Sequence, residues 1–292
     1  MKRDYNKILK NKNNELIYYI YDWDDNILFM PTKILVDKRE SNMWVHKKVS
    51  TSKFRDIRIY IEEYLNKIYG EDESKYKWRF RNNDIIKSLS QFRDNGKNGS
   101  DKFWLDVKKA IIRKNFGPSF NNFIDTLING RIFLICTARG HEPNSIRKGV
   151  KFIIFDYLSD EQKELMKKNL NEWGDTNEDN FNLLVDKYLN LCDYIGTDSD
   201  YFYKKFCKNG TALKPEDAKK IAIKHFIDEL SIKYSHLYKD ATVKIGFSDD
   251  TKKTLYHVEE YMRDELSLMY PMEFYIIDTS NPSIIGGIKK KV

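Results

Sequence analysis

The stretch YYIYDWDDNILF, Tyr18 to Phe29, places Asp22, Asp24 and Asp25 within four positions directly after an apolar run. Like charges this close raise one another's pKa unless something positive sits among them. A second acidic pair, Asp249 and Asp250, closes the run ATVKIGFSDD, and Thr137 stands near the end of GRIFLICTARG. Two acidic nests and a small hydroxyl, brought together, make a donor set for a hard divalent cation and a phosphate oxygen. Magnesium takes oxygen ligands and keeps several waters, so two or three carboxylates suffice. Its charge would offset the repulsion among them.

These groups meet only if the runs that carry them are neighbours in one sheet. Leu16 to Trp23, Gly130 to Gly140 and Ala241 to Asp250 are short and rich in β-branched and aromatic residues, which predicts strands. Helical spacing of apolar residues predicts helices over Asp101 to Phe116, Pro143 to Leu158, Pro215 to Leu230 and Thr254 to Leu266. Pro143 and Pro215 suit the first helical position. Strand, polar tip and helix, repeated, give an α/β fold: a Rossmann-like parallel sheet flanked by helices, with the strand carboxyl ends presenting the site. Between the first and second strands the alternating segment Thr32 to Ser50 predicts a hairpin turning near Glu40 to Asn42, and Arg93 to Asp101 has loop composition. The expected organisation is a core of residues 1–29 and 130–292, with a large α+β cap, 30–129, inserted after the first strand. Asn171 to Asn180 reads as loop and Cys192 to Ser199 as a further short strand.

A chain of 292 residues, 41% hydrophobic and 14% aromatic, can bury a sizeable core. The 51 basic and 44 acidic residues leave a formal charge of +7, which suits a phosphorylated or polyanionic ligand. The amino terminus is polar, no 18 apolar residues run together, and Cys136, Cys192 and Cys207 lack metal spacing. A soluble, intracellular, cytoplasmic protein without a membrane partner is expected, with its thiols free.

The order of motifs resembles the haloacid dehalogenase-like hydrolase superfamily: YIYDWDDN for the strand ending DxDx[TV], IFLICTARG for the strand ending in Thr or Ser, a Lys in ALKPEDAKKIAIKHF, and VKIGFSDD for the acidic pair. The resemblance covers Leu16 to Phe29 and Gly130 to Leu266. It implies a phosphatase in which Asp22 attacks phosphorus to form an aspartyl-phosphate and Asp24 serves as acid and then base. It further implies that Thr137 and the lysine hold phosphoryl oxygens, and that magnesium is held by Asp22, the Asp24 carbonyl, Asp249 and Asp250. The carboxylate at Asp24 points to phosphoryl transfer rather than dehalogenation. Asn26 departs from the pattern, which has Thr or Val there. The lysine stays open: Lys219 fits best on the first turns of a helix leading into the third strand, Lys214 matches a Lys-Pro variant, and Lys220 is the third choice.

Other residues near the motifs could reach a substrate. Arg139 and His141, in TARGHEP, could contact it beside the phosphate, and Arg93 could grip it from the cap. In KYKWRFR, Lys75 to Arg81, basic and aromatic residues alternate, so a strand would carry one cationic and one aromatic face. Such a face could line a groove for nucleic acid, or it could be a cap strand with its aromatics inward and its charges solvated. The expected substrate is a phosphomonoester, either a phosphorylated small molecule such as a nucleotide or a nucleic-acid end. The alternative is a catalytically silent protein that keeps the fold and binds nucleic acid through a basic cap.

Overall fold

A computed structural model of the chain describes residues 14–67, 70–94, 100–174, 177–207, 213–234 and 241–292. Two sheets organise it. The larger has six strands in the order β6-β5-β1-β7-β8-β9. They are β1 (Glu15–Tyr21), β5 (Phe133–Thr137), β6 (Asp193–Gly196), β7 (Thr242–Asp249), β8 (Glu273–Asp278) and β9 (Ile288–Lys291). All neighbouring pairs are parallel except β8 with β9. The smaller sheet, β3-β2-β4, is antiparallel and comprises β2 (Ile34–Glu40), β3 (Met43–Val49) and β4 (Trp78–Phe80).

Strand β1 lies between β5 and β7, with Tyr21 beside Ile135 on one side and Ser248 on the other. After β1 the sheet grows first through β5 and β6 and then, on the opposite side, through β7 and β8. Connections that leave a central strand in opposite directions open a crevice at its carboxyl end. The residues beyond Tyr21 therefore enter a cleft rather than a covered face.

Helices cover both faces of the large sheet, and the two-residue period of β1 decides which side chain goes where. Leu16, Tyr18 and Ile20 join a buried cluster with Ala222, Phe226 and Ile227 of the helix Pro215–Tyr234 and with Leu255 and Val258 of Lys252–Tyr261. Tyr21 and Trp23 face the other way, among Phe103 and Val107 of Ser100–Ile112, Phe123 of Phe120–Ile128 and Ile146 of Pro143–Phe152. The expected helix Pro143 to Leu158 continues past Phe152 as a π-helical turn, Ile153–Tyr157, and the last expected helix continues likewise over Met262–Leu266. Among the described residues, no helix is long and apolar enough to cross a membrane.

The segment between β1 and β5 divides its packing. Strands β2 to β4 and the helix Thr51–Leu65 bury a cluster of their own: Ile34, Val36, Val49, Ile57, Ile61 and Phe80. The helices at 100–112 and 120–128 instead share the cluster of the large sheet. The hairpin forms as expected, with Ser41 and Asn42 at positive φ (46° and 64°), as a two-residue turn that follows the strand twist requires.

KYKWRFR does not form a seven-residue strand. Only Trp78–Phe80 pairs, and Lys75 closes a 3₁₀ turn. Arg79 donates from Nε to Asp37 at 3.1 Å and lies 4.4 Å over the Trp44 ring, while Arg81 donates to the Lys47 carbonyl at 2.8 Å. Asp37 is fully buried. Burial opposes its charge, but hydrogen bonds from the Asn82 amide, His46 and Arg79 outweigh that and hold it below the usual carboxylate range. These cations fasten the small sheet instead of lining an open basic groove. The loop expected over Arg93 to Asp101 lies partly outside the described residues, as does that over Asn171 to Asn180.

Candidate active site

Beyond Tyr21 the chain leaves the ladder with one last bond, from the Asp22 amide to the Ser248 carbonyl at 2.9 Å. It then folds into a tight loop in which Ile27 and Leu28 donate to the Trp23 carbonyl and Asp25 donates to that of Leu28. Asp25 adopts φ 57°, a conformation that Asp tolerates better than most residues. Trp23 anchors the loop from below, packed on Phe103 and Phe123. The loop turns Asp22, Asp24 and Asp25 towards one cavity.

Asn26, the departure from the resemblance, is fully buried and acts as a clamp. Its side-chain amide donates to the Asp22 carbonyl at 2.9 Å, the Ser248 carbonyl at 3.2 Å and Ser248 Oγ at 2.9 Å, and its Oδ1 accepts from Thr279 Oγ1 at 2.9 Å. One side chain thus ties the ends of β1, β7 and β8 together. A Thr or Val could not make all four bonds.

Lys219, on the first turns of the helix Pro215–Tyr234, reaches between two strand tips. Its Nζ donates to Asp22 Oδ1 at 2.7 Å and to Asp249 Oδ2 at 2.5 Å, with all three groups buried. Burial works against the ammonium, but Asp22 and Asp249 outweigh it and raise its pKa above the ordinary lysine range. Asp249 Oδ1 accepts from the Thr251 amide at 2.8 Å, so both its oxygens are engaged by the protein. Asp22 keeps Oδ2 without a partner among the described residues. Lys214 and Lys220 do not line the cavity; Lys220 faces Asp217 and Tyr261.

Asp24 carries a bidentate fork: Arg139 Nε donates to Oδ2 and the guanidinium to Oδ1, each at 2.7 Å. Arg139 is fully buried, also donates to Thr32 Oγ1 at 2.8 Å, and packs 4.4 Å over the Phe92 ring. Expected on the substrate, Arg139 lies outside the cavity lining and orients Asp24 instead. Arg93, expected to grip substrate, does line the cavity but pairs with Asp198 at 2.5 Å. His141 is buried behind the site against Phe103 and does not line the cavity.

The cavity, about 460 Å³, has a floor of Asp22, Asp24, Thr137, Lys219 and Asp250, and its opposite wall is formed by the small sheet and its helix. Thr137 ends β5, its carbonyl held by the Thr197 amide at 2.8 Å. Asp250 pairs with Arg55 of the helix Thr51–Leu65, and Asp25 accepts from Thr51 on the same helix. Arg55 carried no signal in the sequence. Thr197 and Asp198 did, because they follow a strand in the parallel sheet.

The charge in this cavity is unbalanced. Its lining carries the carboxylates of Asp22, Asp24, Asp25, Glu62, Asp198, Glu216 and Asp250 against the cations of Arg55, Arg58, Arg93 and Lys219. Burial, with Asp249 and Asp24 nearby, pushes Asp22 up to about 7 even though Lys219 opposes the rise. Asp25 rises to about 6, again chiefly through burial. Among the described residues, no group of three or more His, Cys, Asp or Glu side chains is arranged to hold a metal ion. Magnesium does not need one, since it keeps several waters. This acidic excess, with Asp22 Oδ2 and Asp250 on the cavity floor, fits a hard divalent cation.

Comparison with protein-family models, curated proteins and solved structures returned no match.

Proposed function

We propose that this chain is a magnesium-dependent phosphohydrolase of the haloacid dehalogenase-like type, acting on a phosphomonoester through an aspartyl-phosphate. Its large sheet is read as Rossmann-like, with the small sheet and its helix as a cap over the strand tips. One observation carries the reading: the ammonium of Lys219 bridges Asp22 and Asp249 at the carboxyl ends of adjacent parallel strands, while Asp22 faces the cavity.

Asp22 Oδ2 is the free nucleophile. Its attack on phosphorus forms the Asp22–phosphate bond and breaks the P–O ester bond, and the leaving oxygen takes a proton from protonated Asp24 as the alcohol departs. Water then attacks the acyl phosphate, Asp24 takes the water's proton, and Asp22 returns as a carboxylate with inorganic phosphate released. In this reading Thr137 and Lys219 hold phosphoryl oxygens. Magnesium held by Asp22, Asp250 and the Asp24 carbonyl would neutralise the dianion that a carboxylate must approach. Asp249 anchors Lys219 rather than facing the cavity.

The paired state of Arg79 and Arg81 removes the main support for a nucleic-acid end, so a phosphorylated small molecule is the favoured substrate. Hydrolysis of an aryl phosphate should need magnesium. Asp22→Asn should lower kcat at least about 1,000-fold, because an amide cannot attack, while Asp25→Asn keeps a substantial part of the activity. Full activity in excess EDTA, or equal losses in the two variants, would overturn the assignment.

A further inference from the structure

We infer that the phosphate ester this site takes is that of an apolar phenol, an aryl monophosphate, and not a nucleotide or a sugar phosphate. The inference rests on the phosphohydrolase reading, and the shape and lining of the cavity carry it.

The decisive part is the wall opposite the carboxylates. Ile34, Phe54, Ile61, Phe80, Leu89 and Phe92 face the same cavity as Asp22 and Lys219. A phosphoryl group on the floor therefore directs the rest of its ester into an apolar chamber. The arginines on that side each have a carboxylate partner: Arg55 with Asp250, Arg93 with Asp198, and Arg58 with Glu62 at 2.7 Å. A ribose, a base or a second phosphate would give up water for a wall with few partners to offer, and burying polar groups without partners is costly. An aromatic ring loses only apolar surface to water there.

The test compares turnover with binding. With magnesium present, kcat/KM is measured for phenyl and 2-naphthyl phosphate, hexyl phosphate, glucose 6-phosphate and AMP. Binding of methylphosphonate and 2-naphthylmethylphosphonate is measured by calorimetry. The naphthyl ester should exceed phenyl phosphate about tenfold, as the added ring enters the apolar chamber, and should exceed AMP at least about a hundredfold. The naphthyl phosphonate should bind at least about tenfold tighter than methylphosphonate. Leu65→Asn together with Ile85→Asn, at cavity positions that are 48% and 40% exposed, should remove most of the naphthyl advantage and leave phenyl phosphate nearly unchanged.

Turnover of AMP or glucose 6-phosphate on a par with the naphthyl ester would overturn the aryl assignment and leave the phosphohydrolase standing. So would equal affinity for the two phosphonates. Tight binding of the naphthyl phosphonate with no ester turned over would keep the apolar subsite and overturn the phosphohydrolase.

Discussion

At the scale of single residues, the site is held by charges that cannot be removed one at a time. Lys219 is buried between Asp22 and Asp249, and taking it away would strand two carboxylates with no cation in contact. Breaking a buried pair by removing one partner costs about 3–5 kcal/mol. Lys219→Met should therefore lose stability on that scale in urea denaturation as well as losing activity. Added magnesium should recover more stability in the variant than in the parent, because it would supply the missing positive charge. A variant as stable as the parent would mean that the ammonium does not neutralise the pair. The same physics explains Arg139: a guanidinium enclosed by aromatic rings stays only where a carboxylate meets it, and Asp24 is that carboxylate.

At the scale of elements, Asp94 docks the segment that trails the small sheet onto the helix Pro143–Phe152. Asp94 Oδ2 accepts from the Glu142 amide at 2.8 Å and from Ser145 Oγ at 2.6 Å, so it caps the helix Pro143–Phe152 across 48 residues of sequence. Glu142, at the N-cap position itself, makes no side-chain cap bond. The neighbouring backbone supports the dock, with the Gly140 amide donating to the Phe92 carbonyl at 2.8 Å. A side chain added at Gly140 would come within 2.7 Å of the Asp198 carbonyl, so the close approach requires glycine. Asp94→Ala should lower stability by about 1 kcal/mol, the usual worth of a cap, and Asp94→Asn should keep most of it. No change in the urea midpoint for Asp94→Ala would show that water replaces the cap without loss. The dock also holds Phe92 against Arg139, so it sets the ring that encloses the Asp24 fork.

For the whole molecule, the pH dependence of stability should carry the mark of His141. The imidazole is fully buried, neither ring nitrogen has a partner among the described residues, and burial, with Arg139 and Lys102 nearby, lowers its pKa well below 6.5. A histidine whose folded pKa is depressed contributes stability that is complete above the unfolded value and is lost as pH falls below about 6.5, because the unfolded chain then binds the extra proton. The loss should approach about 1.4 kcal/mol per pH unit below that point. His141→Leu should remove this contribution, so the stability difference between parent and variant should shift by about 1 kcal/mol between pH 6.5 and 5.5. A difference independent of pH would show that His141 titrates alike in the folded and unfolded chains.

The strands that carry Asp22, Thr137 and Asp249 were legible because apolar content and strand length are local properties, and so was the hairpin at Ser41 and Asn42. Their convergence followed from parallel pairing alone. Strand β8, the helix Thr51–Leu65 and the packing of 100–128 on the large sheet carried no comparable signal, because each is stabilised mainly by what it packs against. Choosing Lys219 over Lys214 and Lys220 needed the rotation of a helix about its axis, which residue spacing does not give. Arg139 and Arg79 could each have met a substrate on the sequence alone, and the fold gave each a carboxylate partner, the half-buried Asp24 and the buried Asp37. A charge in sequence has no partner until the chain is closed, because burial makes pairing obligatory and only tertiary structure decides what is buried.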